Sequence, residues 1–276
     1  QELEKYFPNS LVRLIDVVWP HEIQSGRSII TDTHFLTKVD NVGQLGPELW
    51  GHLFRFDSLL PNQTPSKRLN FLANRIDGGR FEIFLELHQR KLVDNNHVSF
   101  NCFNPSLLVR DQTKEQRQAT FINTATELDW PEYQDAVDYW RDKVPVLLEV
   151  DDPDWVALDS EVTIVSETYS SEYSIALSEK IFRALQMPRP WLLNCSPGSV
   201  ALLRNYGFDV LDDLVNHAAY DHLYDNRVTN MLDQLDGIVY DPVRCTQAAE
   251  HNITLMHELH KKWPEKLKRL IVAHAG

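Results

Sequence analysis

The sequence predicts an α/β protein built on a parallel sheet with crossover helices. From Lys67 onward, short apolar or β-branched segments alternate with amphipathic segments, as expected for parallel strands joined by helices. Of the 276 residues, 43% are hydrophobic, which is enough for a full core. No apolar run approaches the ~20 residues that a membrane-spanning helix needs. We therefore expect a soluble globular protein without a membrane span.

A turn-rich linker divides the chain into two unequal parts. Residues 60–66 contain two prolines, an asparagine, a threonine and a serine, all of which favour turns over regular structure. We therefore expect an N-terminal part at 1–66 and a larger α/β region at 67–276.

Within the larger region, strand and helix patterns follow one another in order. The predicted strands are Lys67–Ala73, Val98–Phe103, Val162–Ser166 and Trp191–Asn194. The predicted helices are Gly79–Lys91, Trp130–Lys143, Ser178–Leu185, Ser199–Tyr206, Tyr224–Leu235, Thr246–Lys262 and Trp263–Val272. Ligands of parallel sheets bind beyond the carboxyl ends of the strands, where loops lead into helices. The strand-to-helix junctions are therefore the candidate ligand sites.

The overall charge argues against a dedicated nucleic-acid-binding module. The chain has 27 Lys and Arg residues against 40 Asp and Glu residues, a formal net charge of −13. Tight binding to a phosphate backbone usually needs a broad basic face. DNA as a substrate is therefore disfavoured.

The cysteines argue against a disulfide framework and a structural zinc site. There are three, Cys102, Cys195 and Cys245, and they are widely spaced with no Cys-x-x-Cys pair. A reducing compartment is expected, which makes the cytoplasm the predicted location.

The junction after the first predicted strand carries two arginines around a Gly-Gly turn. Its sequence runs Asn74-Arg75-Ile76-Asp77-Gly78-Gly79-Arg80. Two guanidinium groups at such a junction can clamp a diphosphate with paired hydrogen bonds. The alternative is an ordinary turn with two solvated arginines.

The helix that begins at Ser178 has a cation in its first turn. Ser178 is a suitable N-cap, and Glu179 suits the positive end of the helix dipole, but Lys180 opposes that dipole. Such a lysine is understandable if an anion is held there with help from backbone N–H groups. A solvated surface lysine is the alternative.

The junction at Ser196-Pro197-Gly198-Ser199 is a third candidate anion site. Ser196 as N-cap and Pro197 as the first helical residue give good capping chemistry, and Gly198 allows a close backbone approach. The same geometry makes an anion cradle at a helix N-terminus. Capping alone is the alternative interpretation.

A histidine pair near the C-terminus does not fit a zinc protease. His257 and His260 stand three residues apart, whereas the metalloprotease pattern places the two histidines four apart on one helix face. His251 does not repair the spacing. We interpret this segment as a surface helix, and a metallohydrolase remains a rival that predicts bound zinc.

Taken in order, these segments resemble the α1,3-fucosyltransferase family (glycosyltransferase family ten), in the style of short glycosyltransferase-like proteins of phages and other viruses. The family's asparagine–arginine, Thr-Glu-Lys and Gly/Ser-Pro-Ser segments are matched at 71–81, 178–185 and 190–199. Viral-type members continue with Leu-Arg-x-x-Gly-Phe and Tyr-Asp, matched at 203–208 and 220–221. The likeness spans Lys67–Leu235.

The resemblance implies a GT-B-like enzyme whose Rossmann-type region binds a GDP- or UDP-linked sugar. The roles of the matching family residues imply that Glu179 contacts the ribose. They also imply that Lys180 and Arg80 neutralise the diphosphate and act as the catalytic cations. The remaining residues of the implied nucleotide-sugar site are Asn74, Arg75, Ser178, Ser196, Gly198 and Ser199. Such enzymes resemble one another in using side chains instead of a metal, so no metal or other cofactor is expected. If the protein is viral, its location is the host cytoplasm.

The resemblance leaves the acceptor and the catalytic base open. The acceptor hydroxyl belongs to a glycan, a protein or a modified DNA base, and charge disfavours the last. An inverting transfer needs a catalytic base, for which His21, Glu22 and Asp32 are candidates and Glu22 is favoured.

Two departures from the family pattern leave further points open. Ala176-Leu177 replace the family's aromatic and β-branched pair, which leaves the identity of the nucleotide's base open. The abbreviated N-terminal part supports the alternative of a non-catalytic binding or structural protein with a degenerate fold.

Overall fold

The computed structural model describes residues 59–103, 113–141, 153–167, 175 and 177–274, together with three short strands. Those strands are β1 (Arg13–Ile15), β2 (Ile29–Thr31) and β3 (Val42–Gln44). They pair in parallel in the order β1-β2-β3. For these strands and for residues 74–75, 103, 153 and 263–274, the description covers the backbone only.

A second, four-stranded sheet follows the linker. Its strands are β4 (Lys67–Arg75), β5 (His97–Phe103), β6 (Ser160–Ser166) and β7 (Trp191–Asn194). All neighbours are parallel and the order is β5-β4-β6-β7. The predicted α/β class, the parallel sheet and the four strands are therefore confirmed. The strand order is compatible with a Rossmann-like fold.

The described helices connect and cover these strands. They are α1 (Gly78–Gln89), α2 (Lys114–Leu128), α3 (Gln134–Arg141), α4 (Pro153–Leu158), α5 (Glu179–Leu185), α6 (Ser199–Asn205), α7 (Arg227–Leu232) and α8 (Pro242–His274). Short 3₁₀ turns occur at Pro131–Tyr133, His217–Ala219 and Asp233–Gly237. Among the described helices, none has the length and apolar character required to cross a bilayer.

Three helices differ from the sequence predictions, and one of them, α4, lies where no helix was predicted. The expected break between Lys262 and Trp263 is wrong, because α8 continues as one helix. A proline inside a helix removes only one backbone hydrogen bond, so the kink it causes need not end the helix. Helix α2 was not predicted, although it begins with a complete capping box between Thr113 and Gln116.

Local capping chemistry explains where two other helices begin or end. Ser178 is the N-cap of α5, as predicted, and its side chain accepts a hydrogen bond from the Lys180 backbone N–H. After α6, Gly207 adopts φ of 93°, the left-handed conformation that favours glycine beyond a helix C-terminus. The beginning of α5 and the end of α6 are thereby set by short-range sequence features.

The sheet is buried between two apolar layers. On β7, Leu192 packs into one cluster, while its neighbours Trp191 and Leu193 pack into the other, as expected for alternating strand residues. The first cluster contains the stacked rings of Phe84 and Phe100, whose centroids lie 4.8 Å apart. Burial of both faces is typical of parallel sheets.

The linker closes the amino edge of the sheet. The Arg189 guanidinium, which precedes β7 and is 1% exposed, donates to the Asn62 Oδ1 atom and to the Gln63 carbonyl, both at 2.6 Å. Ser66 donates through its Oγ atom to the Asp159 carboxylate at 2.7 Å. These contacts occupy the amino ends of the strands, so the carboxyl ends form the edge available to a ligand.

Truncation of a core ring tests this layer arrangement. Phe84→Ala is expected to lower the free energy of unfolding by about 3–5 kcal/mol, because the ring is fully buried and its removal leaves a cavity. Urea denaturation measures the change. Val243→Ala, at a site 65% exposed, is the control and should change stability by less than about 0.5 kcal/mol. Equal losses in the two variants would contradict the assignment of Phe84 to the core.

Candidate functional site

A cavity of about 530 Å³ lies where the loops after β4, β6 and β7 meet. Its lining combines residues of α1, of the Trp130–Tyr133 turn, of the segment after β6, of the end of β7 and of the loop that leads into α7. Strand β4 pairs with β5 on one side and β6 on the other, so the chain changes direction at this point of the sheet. Such a switch point at the carboxyl ends of parallel strands is the usual ligand crevice.

Arg80 is buried at the start of α1 and links two of these loops. Its Nη1 atom donates to the Asp77 Oδ2 atom at 2.6 Å, and its Nη2 atom donates to the Ser166 carbonyl oxygen at 3.3 Å. Asp77 is the N-cap of α1 and accepts the Arg80 backbone N–H at 3.0 Å. Burial raises the pKa of Asp77, and the charges of Arg80 and Lys180 oppose that rise. The predicted arginine therefore stands beside a carboxyl group with a weakened tendency to ionise.

Lys180 belongs to the same cluster through Glu167. The Glu167 Oε1 atom accepts the Ser178 backbone N–H at 2.9 Å, and Oε2 accepts the Ser178 hydroxyl. The Lys180 Nζ atom lies 3.0 Å from Glu179 Oε1 and 3.9 Å from Glu167 Oε2. Burial raises the pKa of Glu167, whereas Lys180 lowers the pKa of Glu179 against the effect of its burial. The cation that opposes the helix dipole is thus paired with carboxylates of this chain.

The cavity lining is mainly acidic. Arg227 is the single Lys or Arg residue among the described lining residues, and it stands against five carboxylates: Asp77, Glu82, Glu132, Glu167 and Asp225. Arg227 is itself buried and pairs with Asp221 at 3.3 Å. The sequence did not indicate this cluster of acidic residues, because the five residues come from four separate segments of the chain.

The third predicted anion site is occupied by a carboxylate of the chain. Asp221 accepts the backbone N–H groups of Val200 and Ala201, both at 2.9 Å, at the start of α6. Gly198, with φ of 80°, is the N-cap, a position the sequence analysis gave to Ser196. The Ser199 hydroxyl donates to the Ser196 carbonyl at 2.5 Å. The expected cradle geometry is present, and Asp221 is the anion it holds.

Arg227 shapes the wall opposite α1. Its Nη1 atom donates to the carbonyl oxygens of Tyr220, Asp221 and Leu223 at 2.9–3.1 Å. These bonds hold the turn that presents Tyr224 and the residues after it to the cavity. Arg227 was missed because most of its partners are main-chain atoms, which leave no pattern of side-chain spacing.

Glu82 is a cavity carboxyl whose pKa is raised into the neutral range. Burial is the main cause, and the negative charges of Glu86 and Glu132 add to it, so that the pKa of Glu82 rises to about 7. Glu82 follows Gly78 and Gly79 by one turn of α1 and lines the cavity beside them. Nothing in the local sequence distinguishes it from a helix-surface glutamate.

Several predicted residues lie outside the described part of the chain. These are His21, Glu22 and Asp32 and, for their side chains, Asn74 and Arg75. Among the described residues, no group of three or more His, Cys, Asp or Glu side chains is placed to hold a metal ion. The three cysteines are buried and free.

Comparison with protein-family models, with curated proteins and with solved structures found no match. The fucosyltransferase resemblance therefore remains a prediction from the sequence motifs. Fold class and site geometry are the established properties of the chain.

Removal of the Glu82 charge should stabilise the protein above neutral pH. The folded-state pKa of about 7 lies above the ordinary value of 4.5, so Glu82 favours folding while protonated and loses that contribution as the pH rises from 4.5 to 7. Glu82→Gln should therefore gain on the order of 2 kcal/mol relative to the parent protein between pH 5 and pH 8. Urea denaturation at the two pH values measures this.

The control for this comparison is Glu127→Gln, at an exposed position on α2. It should stay within about 0.5 kcal/mol of the parent protein. A Glu82→Gln variant whose advantage is the same at both pH values would refute the raised pKa.

Proposed function

We propose that the chain is a metal-independent glycosyltransferase that moves a sugar from a nucleoside-diphosphate sugar to a hydroxyl acceptor. The observation that carries the proposal is the convergence of the three predicted segments on one cavity. Asp77 and Gly79 line the cavity from the first segment, Glu167 lines it and accepts hydrogen bonds from Ser178 of the second, and Asn194 lines it two residues before Ser196, where the third begins. Arg80, Ser178, Lys180 and Ser196 adjoin these residues in the chain or by contact and are not themselves among the described lining residues. Three separate stretches with anion-binding chemistry thus meet at the switch point of a parallel sheet.

Arg80 and Lys180 are the proposed partners of the diphosphate. Both cations contact carboxylates of this chain, so the diphosphate has to compete with Asp77 and Glu179 for them. Burial raises the pKa values of Asp77 and Glu167, which makes protonation of these carboxyls easier when an anion enters. Exchange of the protonated Asp77 carboxyl for a phosphate oxygen is the step that frees Arg80, whereas Lys180 keeps its contact with Glu179, whose pKa is lowered by the lysine against the effect of burial.

The proposed chemistry needs fixed positive charge at the leaving group. Glycosyl transfer builds positive charge at the anomeric carbon while negative charge grows on the departing diphosphate. A lysine and an arginine held at that oxygen, away from water, stabilise the transition state electrostatically. Arg80 suits this role because its hydrogen bond to Ser166 fixes its position.

A non-catalytic binding protein is the second candidate, and two observations favour it. The cavity has five carboxylates against one arginine, and Asp221 already takes the amide groups at the start of α6. A dianionic ligand therefore finds few free donors there. This alternative predicts that nucleoside diphosphates do not bind.

Thermal melting with GDP, UDP, CDP and ADP separates the two candidates. One nucleotide at about a hundred times its Kd should add roughly 2.7 kcal/mol of stability. Lys180→Ala and Arg80→Lys should reduce this gain, the first by removal of charge and the second by loss of the forked guanidinium geometry. The conservative lysine is used because Arg80 is only 4% exposed.

Lys261→Ala, at an exposed lysine on α8, is the matched control and should keep the full nucleotide effect. Absence of stabilisation by all four nucleotides would overturn the glycosyltransferase proposal. Equal stabilisation of the parent protein and of the Lys180 and Arg80 variants would show that the nucleotide binds elsewhere.

A further inference from the structure

We infer that the cavity is the acceptor site, that its acceptor is an uncharged saccharide, and that Glu82 is the catalytic base. This inference rests on the proposed glycosyltransferase function. It assigns the base to a residue of α1, whereas the sequence analysis sought the base in the N-terminal part.

The size and the aromatic lining of the cavity suit a sugar. Its volume of about 530 Å³ falls within the roughly 300–1,000 Å³ typical of small-molecule sites. Trp130, Tyr133 and Tyr224 contribute to its walls. Tyr224 is 48% exposed, unusually high for a large ring at a cavity, and offers a flat apolar face to an incoming ring.

The charge of the lining selects against anionic acceptors. The lining has five acidic side chains and few donors for the phosphates of DNA, because the one arginine among the described lining residues is used by Asp221 and by backbone carbonyl oxygens. Ionised carboxylates are acceptors only, so they match the many O–H donors of an uncharged saccharide. Electrostatics therefore favour a glycan over a DNA base among the acceptors left open by the sequence.

Glu82 lines the cavity from α1, the helix that also carries Arg80, a proposed partner of the diphosphate. Glu82 stands three residues after Gly79 and four after Gly78, so all three share one face of the helix. At Gly78 no atom lies within 4 Å of the position that a Cβ atom would take, so the space beside it is open, whereas the Asn194 Nδ2 atom lies 2.8 Å from that position at Gly79. Arg80 is on a different face and is directed to the end of β6. An acceptor hydroxyl in this space lies beside Glu82.

The proposed step is balanced without a further reactant. The Glu82 carboxylate takes the proton of the acceptor hydroxyl as the hydroxyl oxygen bonds to the anomeric carbon of the donor. The bond between that carbon and the diphosphate oxygen breaks, and its electron pair leaves on the nucleoside diphosphate. A base works best when its pKa is near the working pH, and the pKa of Glu82 is about 7.

The test measures transfer from the stabilising nucleotide's sugar to lactose, maltose and cellobiose, beside duplex DNA with hydroxymethylated bases. Glu82→Gln should lower the transfer rate by about 10²- to 10⁴-fold, the usual contribution of a general base, and should keep the thermal shift with nucleotide. Glu127→Gln is the control and should transfer at the parental rate.

The pH dependence of transfer is a second test. In the parent protein, the transfer rate should fall as the pH drops below about 7. The other ionisable groups around Glu82 are Asp77, Glu86, Glu132, Tyr133, Glu167, Asp225 and Arg227.

Each result of these experiments tests a different part of the proposal. If no nucleotide stabilises the parent protein, the proposed glycosyltransferase function itself is overturned. With nucleotide binding intact, a Glu82→Gln rate within a few-fold of the parental rate would overturn the base assignment. Transfer to DNA but not to the disaccharides, or failure of every disaccharide to raise the melting temperature of the nucleotide-bound protein, would overturn the saccharide acceptor.

Discussion

The parallel pairing of β4 with β6 is the interaction on which the rest of the structure depends. Its register sets Lys67 opposite Ser160 and Phe71 opposite Ile164, so both strands end at the same edge of the sheet. Because β5 occupies the other side of β4, the loops after β4 and β6 diverge and leave a crevice between them. The Arg80 side chain bridges this crevice by its bond to Ser166. Without that pairing, the three segments predicted to bind an anion would not lie beside one cavity.

Internal carboxylates balance nearly every cation at the carboxyl edge. Asp77 pairs with Arg80, Glu179 pairs with Lys180, and Asp221 pairs with Arg227 while it also caps α6. Burial favours the protonated forms of Asp77 and Glu167, so the proposed binding of an anion at this edge would be coupled to proton uptake. The cavity lining adds Glu82, Glu132 and Asp225 to the carboxyl groups of Asp77 and Glu167, with Arg227 as the one cation among the described lining residues.

Short-range features of the sequence predicted most of the fold and part of the site. The four strands of the larger sheet and the Ser178 cap follow from apolar runs and from capping chemistry, which act within a few residues. Helix α2 was missed because only three of its fifteen residues are buried, so its apolar pattern is weak. The roles of Asp221 and Glu82 could not be predicted, since they arise from contacts between segments far apart in the chain.

The central claim is that the loops after β4, β6 and β7 form one ligand site. Hydrogen–deuterium exchange, with and without the nucleoside diphosphate that stabilises the protein, tests it most directly. The account predicts slower exchange together at residues 76–82, 177–181 and 194–201, because all three segments border the crevice. Protection at only one of these segments, or confined to the amino edge around 59–66, would contradict it.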